Sequence, residues 1–524
     1  MFRIALVDMF SNGSNGSNYG HLCISASLKR AAFEVYNIFG RNNLRNTPEI
    51  PNPQLLAFDK LVKEIKPDLV GFSITSILSY SFAAKMAARI KSFSNIPIIF
   101  GGAYPSIDPE FSIANANIDY VCVGEADESI VELCQRLSQG SSGDGIPGVM
   151  SKKRSTFIRR DPPKNLDTLP FQDIASDKIY SILLDGRIIN RNINSSLCWY
   201  VTRCSRGSCP FSCTFCNNEQ LRNLYKPGEY FRQRSPQNVI EELRRYLKIN
   251  SKCRFIFFYD EIFYFNNQWT KEFSAQYKKH INLPFYIWLH PKMIKEEKIM
   301  LLKSAGLWGV ILGIESASEE TRKNVYGRGE TQEDILKADR LFSKYKVNKT
   351  YDFIIDHPWE SATELRDTFD LLIQINRPLR INMHSLVILP NTKLEKRAIK
   401  EGLLKEGEAA KRIVDAPVDI SRKFQWFRAD SHRLGLARDY WVFLIFLTAI
   451  PVFPKWLLKL LSRHTITNNR HVVKTLLFVF RKLSLVKLTL EPIRLWFIEK
   501  RLQRVGNALN SQRSYIKDTL KRAL

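Results

Sequence analysis

The segment Cys209-Pro-Phe-Ser-Cys213-Thr-Phe-Cys216 places three of the chain's nine cysteines within eight residues. Its spacings of four and three residues allow one tight loop to direct three thiolates at a single centre. Three thiolates with no fourth ligand close by favour an iron–sulfur cube that keeps one iron open for a substrate or cofactor. A zinc site would require a fourth ligand, which Cys204 or Cys198 could supply, and cysteines without any metal are the third alternative.

The cysteine segment follows the first of six strand patterns that alternate with helical patterns such as 236–246 and 331–344. The strand candidates are Leu197–Thr202, Phe255–Tyr259, Phe285–Leu289, Gly309–Ile314, Tyr351–Ile355 and Met383–Leu389. Strands that alternate with helices form parallel sheets, and a closed series places its site at the carboxyl ends of the strands. We therefore predict a (β/α)6 partial TIM barrel over residues 191–400.

The first 140 residues show a separate alternation, with strand patterns at 2–7, 69–74, 96–100 and 120–123. This pattern predicts an α/β domain with a doubly wound, Rossmann-like parallel sheet, whose ligand crevice lies at the carboxyl ends of the strands. A segment rich in Gly and Ser at 138–148 marks its boundary. We assign residues 141–190 to a linker and residues 401–524 to a helical, basic C-terminal region.

The cysteine segment resembles the CxxxCxxC signature of the radical S-adenosylmethionine (SAM) superfamily, which has an aromatic residue before the last cysteine, here Phe215. The segments Gln233-Arg-Ser-Pro-Gln-Asn-Val-Ile240 and Gly313-Ile-Glu-Ser-Ala-Ser318 resemble its cobalamin-linked branch. The segments at 67–75, 100–105 and 119–125 resemble the cobalamin-binding domain that precedes the barrel in that branch. The resemblance covers residues 1–402.

The resemblance implies a [4Fe-4S] cluster on Cys209, Cys213 and Cys216, with SAM chelated by the open iron. An electron from a reductase, flavodoxin or ferredoxin would then cleave SAM to methionine and a 5′-deoxyadenosyl radical. By similarity, Phe215 lies near the adenine, Glu315 and Ser316 contact the methionyl or ribose part of SAM, and Asp260 and Glu261 approach its amino group. The residues implied for cobalamin are Ser73, Thr75, Gly101, Gly102, Gly124 and Glu125.

The sequence departs from the family pattern at three places. The Gly-x-Pro-Gly-Glu-Thr turn after the fifth strand is replaced by Asp356-His-Pro-Trp-Glu-Ser361, and the Pro-Gly-Thr turn after the sixth by Pro390-Asn-Thr392. Both departures remove glycines that would permit a positive φ, so they place the substrate pocket in question. The cobalt-binding pattern Asp-x-His-x-x-Gly is not met at His21, so cobalamin is expected without a histidine on cobalt.

The resemblance implies a cobalamin-dependent C-methyltransferase, in which one SAM methylates cobalamin and a second supplies the radical that abstracts a hydrogen atom. The substrate carbon radical would then take the methyl group from methylcobalamin. The alternatives are a non-methylating relative, such as a cyclase or a methylthiotransferase, and a cobalamin or iron–sulfur sensor without turnover. The sequence leaves the substrate open between a small molecule and a lipid: the C-terminal helices favour a lipid or isoprenoid, and peptide and antibiotic intermediates are the alternatives.

The net charge of +26 is concentrated at one end of the chain. Residues 451–524 hold sixteen Lys and Arg against Glu491, Glu499 and Asp518, a net of +13. Basic segments interleaved with aromatic residues are typical of membrane-surface binding, although an apolar stripe that only packs on the barrel is the alternative. No nucleic-acid module is recognisable. With no signal peptide and no long apolar segment, we predict a cytoplasmic protein with peripheral membrane contact left open.

Overall fold

The computed structural model describes residues 1–9, 19–40, 50–75, 77–153, 157–190, 199–415, 435–463, 467 and 471–476. The polar loop at 11–18, Cys198 and the basic helical pattern at 495–509 lie outside these residues. Within the described ranges, no helix combines the length and the apolar character needed to cross a membrane.

The N-terminal sheet has eight strands among the described residues, in the order β6-β5-β4-β3-β1-β2-β7-β8. They are β1 Arg3–Asp8, β2 Glu34–Gly40, β3 Leu69–Ser73, β4 Ile98–Gly101, β5 Tyr120–Cys122, β6 Val149–Ser151, β7 Ile179–Ile182 and β8 Ile188–Asn190. The six central strands are parallel, and β6 and β8 pair antiparallel at the two edges. The predicted doubly wound parallel sheet is thus confirmed.

Helices cover both faces of this sheet, which is why its central strands consist of continuous apolar runs such as Ile4–Val7. The helices are α1 Tyr19–Arg30, α2 Asn52–Ile65, α3 Ile77–Lys91, α4 Ala103–Ile107, α5 Pro109–Ala114 and α6 Ser129–Ser138. The N-terminal core therefore lies in two layers, one on each side of the strands.

Two features of this sheet were missed in the sequence. Strand β2 pairs with β1 but was not among the predicted strands. The range 141–190, which we assigned to a linker, contributes β6, β7 and β8 to the sheet. Strands of three or four residues are too short for an alternating pattern to stand out, so they were not distinguished from a connecting segment.

The second sheet has six parallel strands in the order β16-β15-β14-β13-β12-β9, which confirms the partial barrel. Its strands are β9 Trp199–Thr202, β12 Phe255–Phe258, β13 Phe285–Leu289, β14 Leu307–Glu315, β15 Asn348–Ile355 and β16 Arg380–Ser385. Strands β10 Ser205–Arg206 and β11 Arg232–Gln233 form a small antiparallel ribbon after β9. The last strand begins three residues and ends four residues earlier than predicted. The predicted end was too late because the apolar residues Leu386 and Ile388 pack in a core cluster after the strand has ended.

The remaining helices follow the strands, and several begin at side-chain caps, such as Ser235 before α8 and Thr331 in a capping box before α12. They are α7 Asn218–Asn223, α8 Pro236–Ile249, α9 Asn267–His280, α10 Glu296–Ala305, α11 Glu319–Asn324, α12 Gln332–Lys344, α13 Ala362–Gln374, α14 Lys393–Lys400, α15 Glu408–Asp415, α16 Gly435–Thr448 and α17 Lys455–Leu461.

The chain divides into two compact units. The first comprises residues 1–359 and 378–429 and contains both sheets; the second comprises residues 360–377 and 430–524. In the second unit α16 packs on α13, with the rings of Phe369 and Trp441 5.7 Å apart.

An ion network connects the two sheets of the first unit. The Arg206 guanidinium, at the end of β10, binds both carboxylate oxygens of Asp127 at 2.7 and 3.1 Å. It also binds Glu125 at 2.5 Å, and Arg232 on β11 binds the same glutamate. Burial opposes the ionisation of Asp127, but Arg206 outweighs it and lowers the pKa of that carboxyl. Because the pKa of Asp127 is lowered on folding, its ion pair stabilises the fold above the ordinary pKa of aspartate, and this stability is lost as the pH falls through the lowered value.

We predict that Asp127→Asn lowers the free energy of unfolding by about 2 kcal/mol, because it removes the charged hydrogen bonds of one of the two carboxylates that hold Arg206. Asp185→Asn is the matched control, since the Asp185–Arg187 pair is exposed at 53% and 74% and solvent screening leaves it little effect on stability. Urea denaturation at neutral pH measures both losses. Equal losses for the two variants would contradict a structural role for the buried pair.

Candidate active site

The cysteine loop runs from β10 to α7, and the carboxylates that end β12 hold its first part. Asp260 accepts hydrogen bonds from the Cys204 amide, at 3.0 and 3.1 Å to its two oxygens, and from the Ser205 hydroxyl. Glu261 accepts from the amide and the hydroxyl of Ser208 at 3.2 and 3.0 Å, and from Arg203 at 2.7 Å. Both predicted SAM-binding carboxylates therefore bind the loop that leads to Cys209.

The pKa values of the two carboxylates are shifted in opposite directions. Burial raises the pKa of Asp260 to about 6, although its hydrogen bonds oppose the rise. Burial would also raise the pKa of Glu261, but the Arg203 guanidinium outweighs it and the pKa lies below its ordinary value. Glu261 is consequently an anion at neutral pH that is bound to Arg203 and to the loop.

The second part of the loop is bound by the segment after α11. The Thr214 hydroxyl donates to the Val325 carbonyl at 2.5 Å, and its amide donates to the Tyr326 carbonyl at 3.0 Å. The Thr214 carbonyl accepts from the Leu394 amide at 2.9 Å, at the start of α14. Gly327 has φ of 64°, and a Cβ there would lie 3.0 Å from Thr214, so this contact favours glycine.

The three thiols converge in a partly buried place. Cys213 is buried, whereas Cys209 and Cys216 are half-buried. Burial raises the pKa of Cys213 to about 12 and that of Cys216 to about 11, and the neighbouring thiols add to both rises. Buried thiols at this spacing are neutral unless a cation compensates their charge, which an iron–sulfur cluster does. The donor set of this loop thus fits a cluster held by three thiolates.

The zinc alternative has less support. Cys204 is fully buried and lies beside Asp260. Among the described residues, no three or more His, Cys, Asp and Glu side chains stand close enough together to hold a single metal ion. The thiolates of a four-iron cluster lie further apart than the ligands of a single zinc ion. The observation therefore argues against a zinc site and does not argue against a cluster.

Arg328 is a charged neighbour of the cysteines that the sequence analysis missed. Its Nη1 lies 3.8 Å from the Cys213 sulfur and 3.4 Å from Glu315, while Nη2 donates to the Gly313 carbonyl at 2.7 Å. Burial raises the pKa of Glu315 to about 7, with Arg328 opposing the rise. The predicted SAM contact Glu315 is therefore linked to the cluster cysteines through one guanidinium.

Arg328 is held in turn by a buried acid. Its Nε donates to Glu330 at 2.6 Å, and the other Glu330 oxygen lies 3.5 Å from His290 Nε2. The His290 ring stacks on Phe211 of the cysteine loop, with centroids 3.8 Å apart. Burial lowers the pKa of His290 to about 2, and its Nδ1 accepts from the Lys292 amide, so the neutral ring carries its proton on the nitrogen that faces Glu330.

Both missed residues had a signal in the sequence. His290 directly follows β13, and the carboxyl ends of barrel strands are where site residues collect. Arg328 lies in Gly327-Arg-Gly-Glu330, whose glycines accompany a close approach of the backbone.

The other predicted SAM residues lie on the same side of the barrel. Phe215 is half-buried and meets the edge of Tyr326, with centroids 5.3 Å apart. Glu315 has φ of 65° and turns the chain at the end of β14. Ser316 is buried in that turn, and the Arg322 guanidinium donates to its carbonyl at 2.7 Å.

The two departures from the family turns keep the turn conformation. Asp356 and Asn391 stand where the family has glycine, and they adopt φ of 61° and 63°. Aspartate and asparagine are the side chains that tolerate this region best. Asp356 accepts from the Ser385 hydroxyl at 2.5 Å, and the Asn391 amide donates to the Ile107 carbonyl at 2.9 Å. The absence of glycine at these two positions therefore does not prevent a positive φ there.

The carboxyl ends of the N-terminal strands form a crevice, as predicted. Gly101 ends β4, and Gly102 has φ of 107°, where a Cβ would lie 2.5 Å from the Ile74 carbonyl oxygen. Ser73 is half-buried and Thr75 is exposed. A small cavity opens here; its lining includes Asp8, Ser73, Ser79 and Phe82. Glycine backbone and small polar groups at one sheet edge fit a bulky cofactor such as cobalamin.

The remaining predicted cobalamin residues face the barrel. Gly124 has φ of 86°, and a Cβ there would lie 2.6 Å from the Tyr225 hydroxyl, which also accepts from the Glu125 amide at 2.9 Å. The Glu125 carboxylate binds Arg206 and Arg232. Glu125 thus joins the predicted cobalamin edge to the cysteine loop.

His21 is a structural residue. Its ring is buried on α1, its Nε2 lies 3.0 Å from the Asn37 side-chain oxygen, and burial lowers its pKa to about 4. The absence of a histidine ligand on cobalt stays a prediction.

Comparisons with known proteins agree with this geometry. Residues 6–134 match the B12 binding domain, and residues 206–372 match the Radical SAM superfamily. A search of curated proteins found no match. Among solved structures, the radical S-adenosylmethionine methyltransferase TsrM from Kitasatospora setae, with tryptophan substrate and a SAM analog bound, shares the fold with a TM-score of 0.59 at 15% identity, covering 76% of each chain.

A second solved structure is the cobalamin-dependent S-adenosylmethionine radical enzyme OxsB, which aligns with a TM-score of 0.55 at 19% identity over 78% of this chain and 56% of that chain. A radical SAM domain implies a [4Fe-4S] cluster and SAM, and a B12-binding domain implies cobalamin. The protein is thus a radical SAM enzyme that carries an N-terminal B12-binding domain.

Proposed function

We propose that this enzyme is a C-methyltransferase that transfers a methyl group to an unactivated carbon. The observation that supports the proposal is the Arg206 network. Arg206 stands three residues before Cys209 and binds Glu125 and Asp127, which follow the end of β5 in the B12-binding domain. A methyl group can pass from cobalamin to a substrate only if both cofactors open onto one space, and this network connects the two loops directly.

The proposed roles follow from the contacts. Cys209, Cys213 and Cys216 would hold the cluster, while Asp260 and Glu261 would keep their loop in place. When bound, the cluster and SAM supply a 5′-deoxyadenosyl radical, and cobalamin supplies a methyl group. The chain's own part is to bind and orient these groups and the substrate.

Arg328 would compensate negative charge at the cluster. Its guanidinium faces the Cys213 sulfur and is fixed by Glu330 and the Gly313 carbonyl. Glu315, which Arg328 also holds, would contact the methionyl or ribose part of SAM. Because Glu330 and His290 are buried, they would keep Arg328 from turning away into solvent.

The products of SAM test the proposal. The anaerobically reconstituted chain with cobalamin, SAM and a reductant should yield S-adenosylhomocysteine, the product of methyl transfer, in an amount that matches the bound cobalamin. It should also yield 5′-deoxyadenosine. The control without cobalamin should lose only S-adenosylhomocysteine. Formation of 5′-deoxyadenosine and methionine without S-adenosylhomocysteine would indicate a non-methylating reaction. Formation of no product at all would indicate a sensor without turnover.

We expect Cys213→Ala to lose bound iron and to lower 5′-deoxyadenosine formation by roughly 100-fold or more, since even outer groups of a metal site contribute 10- to 100-fold. Cys134→Ala is the matched control, because Cys134 is a fully buried cysteine on α6. Iron analysis and product chromatography check both variants. Undiminished SAM cleavage by Cys213→Ala would refute the assignment of the ligands.

We expect Arg328→Met to make the reduction potential of the one-electron cluster couple more negative by roughly 65–130 mV, because a charged hydrogen bond worth about 1.5–3 kcal/mol is lost. Arg328→Lys keeps the positive charge and should shift the potential less. Redox titration followed by electron paramagnetic resonance measures both variants. An unchanged potential in Arg328→Met would show that Arg328 acts on the fold alone.

A further inference from the structure

Helices α16 and α17 of the second unit meet at a turn that exposes large apolar side chains. Val452 in the turn is 74% exposed and Trp456 on the first turn of α17 is 68% exposed. Trp456 and Leu460 are four residues apart and share one face of α17. We call the exposed set the apolar tip; it consists of Phe446, Ile450, Val452, Trp456 and Leu460.

The backbone of the apolar tip is held in place. The Arg377 guanidinium donates to the Phe453 carbonyl at 2.5 Å and lies 3.4 Å from the Pro451 carbonyl. The Lys455 ammonium donates to the Ile375 carbonyl at 3.0 Å, and the Tyr440 hydroxyl donates to the Leu461 carbonyl at 3.0 Å. The exposed side chains are therefore presented by an ordered turn, and binding through them would cost little conformational entropy.

The opposite face of the two helices is already used for packing. Tyr440, Leu444 and Leu458 are buried, and Trp441 packs on Phe369 of α13. A soluble helical pair needs one apolar face for its core, and here a second apolar surface remains at the turn. Contiguous exposed apolar residues of this kind mark interaction sites.

The segment that carries the apolar tip is basic, although Asp370 of the neighbouring α13 interacts electrostatically with Lys459. Residues 440–490 contain eight Lys and Arg and no Asp or Glu. Lys459 and Arg463 are exposed, three residues after Trp456 and Leu460 respectively. In a two-fold contact between copies of this chain the patch would face itself, so like charges would meet. The charge instead favours an anionic partner.

We propose that the apolar tip docks on an anionic lipid bilayer. Val452 and Trp456 enter the interfacial region, where tryptophan is favoured, and Lys459 and Arg463 stay at the level of the charged headgroups. The docking is independent of the proposed methyl transfer. It gives a structural site to the membrane contact that the basic composition left open.

Vesicle flotation of the full-length chain tests the docking. The chain should bind vesicles of equal parts phosphatidylcholine and phosphatidylglycerol, bind less at high salt, and bind weakly to phosphatidylcholine alone. The double variant Val452→Ser/Trp456→Ser should weaken binding to the anionic vesicles about tenfold or more, because two apolar groups no longer leave water. Met300→Ser, which removes a 50% exposed side chain from α10, is the matched control and should bind like the parent chain.

A second variant separates charge from fold. Arg463→Glu should also weaken binding to anionic vesicles and should leave the thermal unfolding temperature unchanged, because the Arg463 side chain is exposed. The proposal is overturned if the parent chain does not bind anionic vesicles, or if the double variant binds them as tightly as the parent. It is also overturned if light scattering shows that the parent chain is a dimer and the double variant a monomer, because the tip would then be an interface between two copies of the chain.

Discussion

Burial of the cysteine loop is the constraint to which the surrounding charges respond. Burial raises the pKa of Cys213 to about 12, so a thiolate is stable there only beside positive charge. The folded chain places one permanent cation, Arg328, at that sulfur, and holds this cation with Glu330. Arg328 thus compensates part of the negative charge that the thiolates would carry, and the irons of a cluster would compensate the rest.

The same loop contacts three parts of the first unit: the end of β12, the segment 325–327 with α14, and the B12-binding domain. Its beginning is bound by the carboxylates that end β12, and its later part by the segment 325–327 and by α14. Between β9 and Cys209, Arg206 reaches the B12-binding domain. Such a loop can change its position only by breaking several buried polar contacts, each of which would be costly to leave unpaired. This rigidity is what an enzyme needs to keep two cofactors at a constant separation.

The sequence predicted the parts of this protein whose signal is local. Cys209, Cys213 and Cys216 lie within eight residues, so their spacing alone indicated a shared ligand site. The barrel strands showed apolar runs of sufficient length, and five of the six were placed close to their observed bounds. The short strands β6, β7 and β8 carried no such pattern, and the range that contains them was taken for a linker.

The fold class and the cysteine motif were thus determined by the sequence itself, because each depends on residues that are near one another in the chain. The surroundings of the cysteines were decided only by the tertiary structure. Arg328 lies 115 residues after Cys213, and Asp260 lies 56 residues after the amide that it binds. Such residues meet because parallel strands end at one edge of the barrel, so their loops share one space whatever their separation in sequence. The charge of the buried groups, from the neutral His290 to the anionic Glu261, likewise follows from burial and neighbours that no local pattern contains.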